Sequence, residues 1–264
     1  MPGQLFEPPA SRRVAPGHST PGTAALIALI GLLLFGARYA PAAQPSAPPP
    51  GGPAPAPRMK ALGGERYEIG RILVEKRAHR ITVPGHVQHL GEAPLEYLAV
   101  TTRGLKAYET LLELDATGSE FNLALILIGC DSALSSHPGF QFDRSLPFGQ
   151  VTDITVRWNA GGTAKSATAE QALLSDEQRQ QMPPSEWIYT GSITPPHQTI
   201  FGADAAGTLI GFVHDPNDVI EHRAGLGIGR YGSVRGNTAL MPAIGTPVEV
   251  VVTLTERVRK RGEP

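Results

Sequence analysis

Cysteine is nearly absent from this 264-residue chain, with Cys130 the only one. A lone thiol excludes an intramolecular disulfide framework, a four-cysteine zinc site and a protein-held iron–sulfur cluster. Aromatic residues make up only 6% and charged residues 18%, and the formal net charge is −1. The chain therefore lacks the basic excess that holds a nucleic-acid backbone, and no nucleic-acid partner is expected. No apolar run reaches the ~20 residues of a comfortable bilayer span. The longest, AALIALIGLLLFGA, covers residues 24–37. G-x-S-x-G, H-E-x-x-H and P-loop strings are also missing, so a hydrolase elbow, a zincin or a P-loop nucleotide site has no local support.

Proline and glycine are plentiful, at 25 and 30 residues, and unevenly placed. The 24–37 run has the length of a secretory h-region, with Arg12 and Arg13 before it and small residues, Ala40-Pro41-Ala42-Ala43, after it. Residues 1–43 are expected to be a signal peptide, or an uncleaved signal anchor making the membrane contact. The body would then lie in the periplasm or on the outer face of the inner membrane. No cysteine directly follows the run, which excludes lipoprotein anchoring. Residues 44–58 continue a Pro/Ala-rich stretch with almost nothing apolar to bury. A disordered, polyproline-like spacer is expected there.

Residues 59–264 read as one domain of recurring strand patches: 67–74, 80–83, 95–102, 107–114, 151–158, 187–192, 208–213 and 248–255. Thr152, Ile154, Val156 and Trp158 alternate with polar residues, the mark of a half-buried strand. Asn159 to Gly162 fits a hairpin turn, and Pro84-Gly85 reads as another turn. Between Ser119, a candidate cap, and Gly129, the residues are apolar nearly all round, which predicts a buried helix. A weaker, polar helix is predicted over 175–181. The expected fold class is α+β and β-rich, with mainly antiparallel sheets and one buried helix at about residues 119–129.

Several short blocks occur in an informative order. These are Gly91-Glu92-Ala93-Pro94-Leu95-Glu96-Tyr97-Leu98-Ala99-Val100, Gly104-Leu105-Lys106-Ala107-Tyr108-Glu109-Thr110-Leu111-Leu112, and the 124–129 helix end. Val156-Arg157-Trp158, Glu186-Trp187-Ile188-Tyr189-Thr190-Gly191-Ser192, Thr208-Leu209-Ile210, Asp215-Pro216 and Gly245-Thr246-Pro247-Val248 follow. The series, spanning roughly 67–255, resembles the YdjY-like domain family of exported bacterial proteins. The resemblance implies a YdjY-like globular domain over 59–264. It implies no established activity.

Four candidate chemistries stand out. Glu96, Lys106, Tyr108 and Glu109 lie on two consecutive predicted strands, where a hairpin would bring Glu96 and Glu109 together. Close carboxyls push their pKa values apart; the plainer reading is a solvated Glu–Lys pair. This set is the expected ligand contact, and no catalytic residue is assigned. His214, Asp215, Asp218 and His222 combine imidazoles with carboxylates and are the expected metal ligands if a metal ion is held at all. No other cofactor is expected. His79, His86 and His89 read as solvated loop histidines. Gly227 to Gly232 fits G-x-G-x-x-G, but with no strand before it and no helix after it the segment reads as a loop. The expected function is an exported, envelope-associated binding or accessory module whose partner is an envelope protein or a small ligand. The alternative is a periplasmic metal-binding or redox accessory protein.

Overall fold

The computed structural model describes residues 57–175, 180–181, 186–195 and 199–263. Residues 1–43, expected to be a signal peptide or anchor, and nearly all of the proline-rich stretch lie outside the described residues. Among the described residues fifteen strands are present. In chain order they are β1 (Met59–Gly63), β2 (Arg66–Ile69), β3 (Ile72–Glu75), β4 (Arg80–Val87), β5 (Tyr97–Thr101), β6 (Thr110–Leu114), β7 (Gly149–Ala160) and β8 (Thr163–Thr168). Then come β9 (Leu173–Ser175), β10 (Gln180–Gln181), β11 (Trp187–Tyr189), β12 (Thr208–Gly211), β13 (Ile220–His222), β14 (Val234–Gly236) and β15 (Pro247–Arg259). Three short helices accompany them: α1 (Gly118–Leu127), α2 (Ala169–Ala172) and α3 (Gly202–Ala206).

Eight strands close on themselves in the order β4-β15-β7-β11-β13-β12-β5-β6, and β6 returns to β4. The β1–β3 meander extends the sheet from β4, β8 pairs with β7 outside the ring, and β10, β9 and β14 form a separate small sheet. The expectation of mainly antiparallel sheets with one buried helix is corrected on both points. The protein is mostly β, built on a closed barrel. Two of the barrel's pairings, β5 with β6 and β12 with β13, are parallel.

The physical reason is visible in burial. The long antiparallel strands alternate: along β7, Thr152, Ile154, Val156 and Trp158 turn to one buried face, with Asp153 and Arg157 exposed and Thr155 half-buried between them. β6, β12 and β13 are instead buried throughout, and β5 in all but its last residue. Double-sided burial is the habit of parallel strands. The segment between β5 and β6, residues 102–109, is a return crossover and not a hairpin turn.

Closure takes place at Pro84-Gly85, expected as a turn but lying inside β4. There β4 passes from β15 to β6: Gly85 pairs with Val248 on one side and Leu114 on the other. A Cβ on Gly85 would fall on the Glu113 carbonyl oxygen. Only glycine lets the two backbones meet at that point.

Helix α1 is capped by Thr117, two residues before the expected cap Ser119. Thr117 accepts from the Glu120 N–H at 3.1 Å, and the Glu120 carboxylate accepts from the Thr117 N–H at 2.9 Å, a reciprocal capping box. Ser119 instead bonds Asp204 in the first turn of α3. The helix buries Phe121, Ala124 and Leu125, while Ile126 stays 46% exposed, so it is covered on one side only. Of the helix predicted over 175–181, residues 176–179 lie outside the described residues. Its ends belong to β9 and β10, which pair antiparallel. Cys130, Trp158, Trp187 and Tyr189 are all buried. Among the described residues no helix is long and apolar enough to cross a membrane.

Candidate functional site

The parallel pairs decide where the acidic side chains go. Tyr97 at the start of β5 pairs with Thr110 at the start of β6 and with Gly211 at the end of β12; Gly211 pairs in turn with Glu221. The starts of β5 and β6 and the ends of β12 and β13 therefore share one end of the barrel. Glu96 and Glu109, each one residue ahead of its strand, meet there. They do so through parallel register, with the Glu96 N–H bonded to the Glu109 carbonyl at 2.9 Å.

Burial first, and then the adjoining Glu109 carboxylate, raise the Glu96 carboxyl to about 7 against the pull of Lys106. Lys106 is committed to Glu109, Nζ to Oε1 at 2.7 Å, within the turn of Ala107–Glu109. Its ammonium also lies 5.7 Å from the Tyr97 ring centre and 5.8 Å from that of Tyr108. Burial opposes the Lys106 charge, yet the Glu109 contact prevails and its pKa rises. Glu109 is buried and Tyr108 exposed. Of the four expected ligand contacts, then, Lys106 and Glu109 are paired with each other, Tyr108 lies outermost, and Glu96 alone lines a cleft.

That cleft has a volume of about 460 Å³ and is walled by Glu96, Phe142, Arg144, Gly227, Ile228, Gly229 and Tyr231. Gly227, Gly229 and Gly232 have φ between 70° and 84°, a left-handed conformation that favours glycine. The G-x-G-x-x-G string thus forms a loop over the acidic end, connecting β13 to β14. Tyr231 on this loop is 66% exposed, and its hydroxyl feels the charges of Glu109 and Glu96.

Behind Glu96 lies a second acidic group. The Tyr97 hydroxyl donates to Asp215 Oδ2 at 3.0 Å, and the Asp215 N–H donates to Glu221 Oε1 at 2.6 Å. Asp218 and Glu221 are fully buried. Both Asp218 oxygens, Glu221 Oε2 and Thr208 Oγ1 are sealed from water without a hydrogen bond. Burial raises both carboxyls well above the usual range, as does acidic charge beside them, Asp215 for Asp218 and Asp218 for Glu221. A Cβ on Gly211 would fall on Asp218 Oδ2, so this carboxyl occupies room that only glycine leaves.

The expected metal ligands are distributed differently from a metal centre. His214 Nδ1 faces the Asp143 carbonyl at 2.6 Å and Nε2 the His222 carbonyl at 2.9 Å, which leaves neither nitrogen turned to a cation. His214 instead ties the 139–148 loop to the barrel, helped by the Phe142 N–H on the His214 carbonyl at 2.8 Å. His222 stands edge-on to Trp187, with ring centres 5.1 Å apart; burial, then the nearby His214, lowers its pKa to about 3. Asp215 and Asp218 belong to the carboxyl group just described. Among the described residues no three His, Cys, Asp or Glu side chains are arranged to hold a metal ion. His79 Nδ1 lies 2.8 Å from the Ile128 carbonyl, and His86 is 3.8 Å from Glu113.

Sequence reasoning missed Tyr97, Arg144, Glu221 and Tyr231. Glu221 carried a signal, being a charged residue between Val219-Ile220 and His222 in a short apolar strand. Arg144 and Tyr231 carried none, since loops far apart in sequence bring them to the cleft. No curated protein and no solved structure matches the chain. The YdjY domain model matches residues 72–253, from β3 into β15 and so across the whole barrel and both acidic groups; the chain belongs to the YdjY domain family.

Proposed function

We propose that the chain is an exported, envelope-associated binding module and that the cleft at the acidic end of the barrel is its ligand site. The observation that carries this reading is Glu96. It is a carboxyl only 6% exposed, set in the wall of a cleft large enough for a small molecule and held near neutrality by its surroundings. A charge of that kind has a cost in a fold, and a ligand contact supplies a reason for it. Lys106 and Glu109 support Glu96, and Tyr231 provides aromatic surface in the same cleft wall. The short apolar leader and the proline-rich spacer support export.

The test is a thermal-shift screen of the full chain against a library of small polar metabolites. Compounds that stabilise the protein are expected to lose their effect in Tyr231→Ala and Arg144→Ala, both exposed positions whose substitution leaves the core intact. Hits that act equally on both variants, or no hits at all, would overturn the assignment of the site.

A further inference from the structure

We infer that the cleft takes a small bipolar ligand, with an ammonium or similar cationic donor placed on Glu96 and an anionic group placed on Arg144. The inference rests on the cleft being the binding site and adds the ligand's chemistry. Glu96 is more than nine-tenths buried and opens on the cleft. Its carboxyl hydrogen-bonds the Glu109 carboxyl, an acid–acid contact that a cationic donor would relieve. Lys106 does not meet that need, because its ammonium is engaged by Glu109. On the other wall Arg144 is exposed and has no carboxylate partner among the described residues. Phe142 and Ile228 lie along the same cleft and offer apolar surface to a short spacer, while the Tyr231 ring suits a cation.

A ligand of one charge satisfies one wall and offends the other. A simple amine meets Glu96 but leaves Arg144 unpaired. A simple carboxylate meets Arg144 but adds negative charge to an end of the barrel that already holds Glu96, Glu109, Asp215, Asp218 and Glu221. A molecule with both groups pairs both walls, whereas a ligand of one charge leaves either the buried Glu96 or the exposed Arg144 without its partner.

Binding of this kind is coupled to a proton. Glu96 faces Glu109 and Lys106 from the 107–109 turn and Asp215 from the β12–β13 connection; Arg144 and Tyr231 reach the cleft from its two loops. With the Glu96 pKa at about 7, its ionised fraction rises from about one tenth at pH 6 to about nine tenths at pH 8. A ligand that needs the carboxylate binds about tenfold more tightly at pH 8 than at pH 6.

The experiment is titration calorimetry of the full chain with 4-aminobutyrate, 5-aminopentanoate and 6-aminohexanoate, against butylammonium and pentanoate as controls. At least one amino acid is expected to bind, with an optimum in spacer length. Both controls should bind at least tenfold more weakly, and the pH 6 to pH 8 gain should be about tenfold. Glu96→Gln should abolish the pH dependence, and Arg144→Ala should remove the preference for the amino acids over butylammonium. Failure of all three to bind, equal binding by either control, or a pH-independent affinity would overturn the inference. If the library screen yields other hits sensitive to Tyr231→Ala, the cleft stands and only the bipolar ligand falls. Hits that ignore Tyr231→Ala remove both.

Discussion

Replacing Glu96 by Gln should make the protein more stable at alkaline pH, an unusual direction for a change at a binding site. The ordinary Glu pKa of 4.5 is raised to about 7 in the folded state, chiefly by burial and then by Glu109. Between these values the native protein retains a proton that the unfolded chain has lost. Stability therefore falls as pH rises from about 4.5, and the penalty is complete above about 7. At ~1.4 kcal/mol per pKa unit the full shift would correspond to roughly 3 kcal/mol. Glu96 borders an open cleft, and water there screens part of the cost, leaving about 2 kcal/mol. Glutamine matches the protonated acid in shape and cannot ionise. Glu96→Gln is thus expected to match the parent near pH 5 and exceed it by about 2 kcal/mol at pH 8. Urea unfolding of both proteins at intervals from pH 5 to pH 8 reads this difference directly. Asp218 and Glu221, raised in the same sense, and His222, lowered, are present in both proteins and largely cancel in the subtraction. A difference that stays flat with pH, or a variant less stable at pH 8, would refute the assignment of strain to this carboxyl.

Three further expectations follow from other parts of the barrel. Gly211→Ala should cost about 3 kcal/mol, because the new methyl lands on the Asp218 carboxyl; adding Asp218→Ala should recover much of that loss, and strict additivity in the double-mutant cycle would contradict the contact. Thr117→Ala removes the capping box of α1 and should cost about 1 kcal/mol in urea unfolding, with the loss shared by hydrogen-exchange protection over 118–127. His222 is held neutral with its pKa near 3, so its protonation destabilises the fold as pH drops from about 6.5 toward 3. His222→Phe should flatten that acid-side decline by up to ~4 kcal/mol relative to the parent, and an unchanged acid limb would show that other groups set it.

The strands were largely legible and their directions were not. Alternation such as Thr152, Ile154, Val156 and Trp158 identifies a half-buried strand from residue types alone, because the side-chain period is two. Direction has no such period. LEYLAVTT followed after a few residues by AYETLLEL satisfies a hairpin and a parallel return equally well by spacing. What distinguished them was burial on both faces, which the run of Leu95 to Val100 hints at but does not prove. The Pro84-Gly85 step misled for a related reason. These residues commonly mark turns, but inside β4 glycine admits the approach of β6, and proline sits where the strand changes partners. The capping box at Thr117 and Glu120 was legible in principle, since threonine three residues before glutamate is its signature; the serine inside it drew the boundary too late.

The site divides along the same line. Glu96, Lys106, Tyr108 and Glu109 stood out as polar residues in apolar surroundings, and the parallel register does bring Glu96 and Glu109 together. Asp215 and Asp218 stood out beside two histidines, which suggested ligation. In the fold the two kinds of side chain separate: His214 turns both nitrogens to carbonyls, while Asp218 and Glu221 press together under Gly211 with three of their four oxygens lacking a hydrogen-bond partner. The acidic end therefore arises from topology more than from any local motif. Antiparallel neighbours would have placed Glu96 and Glu109 according to the length of a turn, with Glu221 at an end set by its own connection. Two parallel pairs set back to back instead align the starts of β5 and β6 with the ends of β12 and β13, and every acid adjoining those ends must share one small volume. Such crowding raises proton affinities whatever the ligand. The carboxyl nearest the cleft then takes a pKa near 7 as a consequence of the barrel's connectivity.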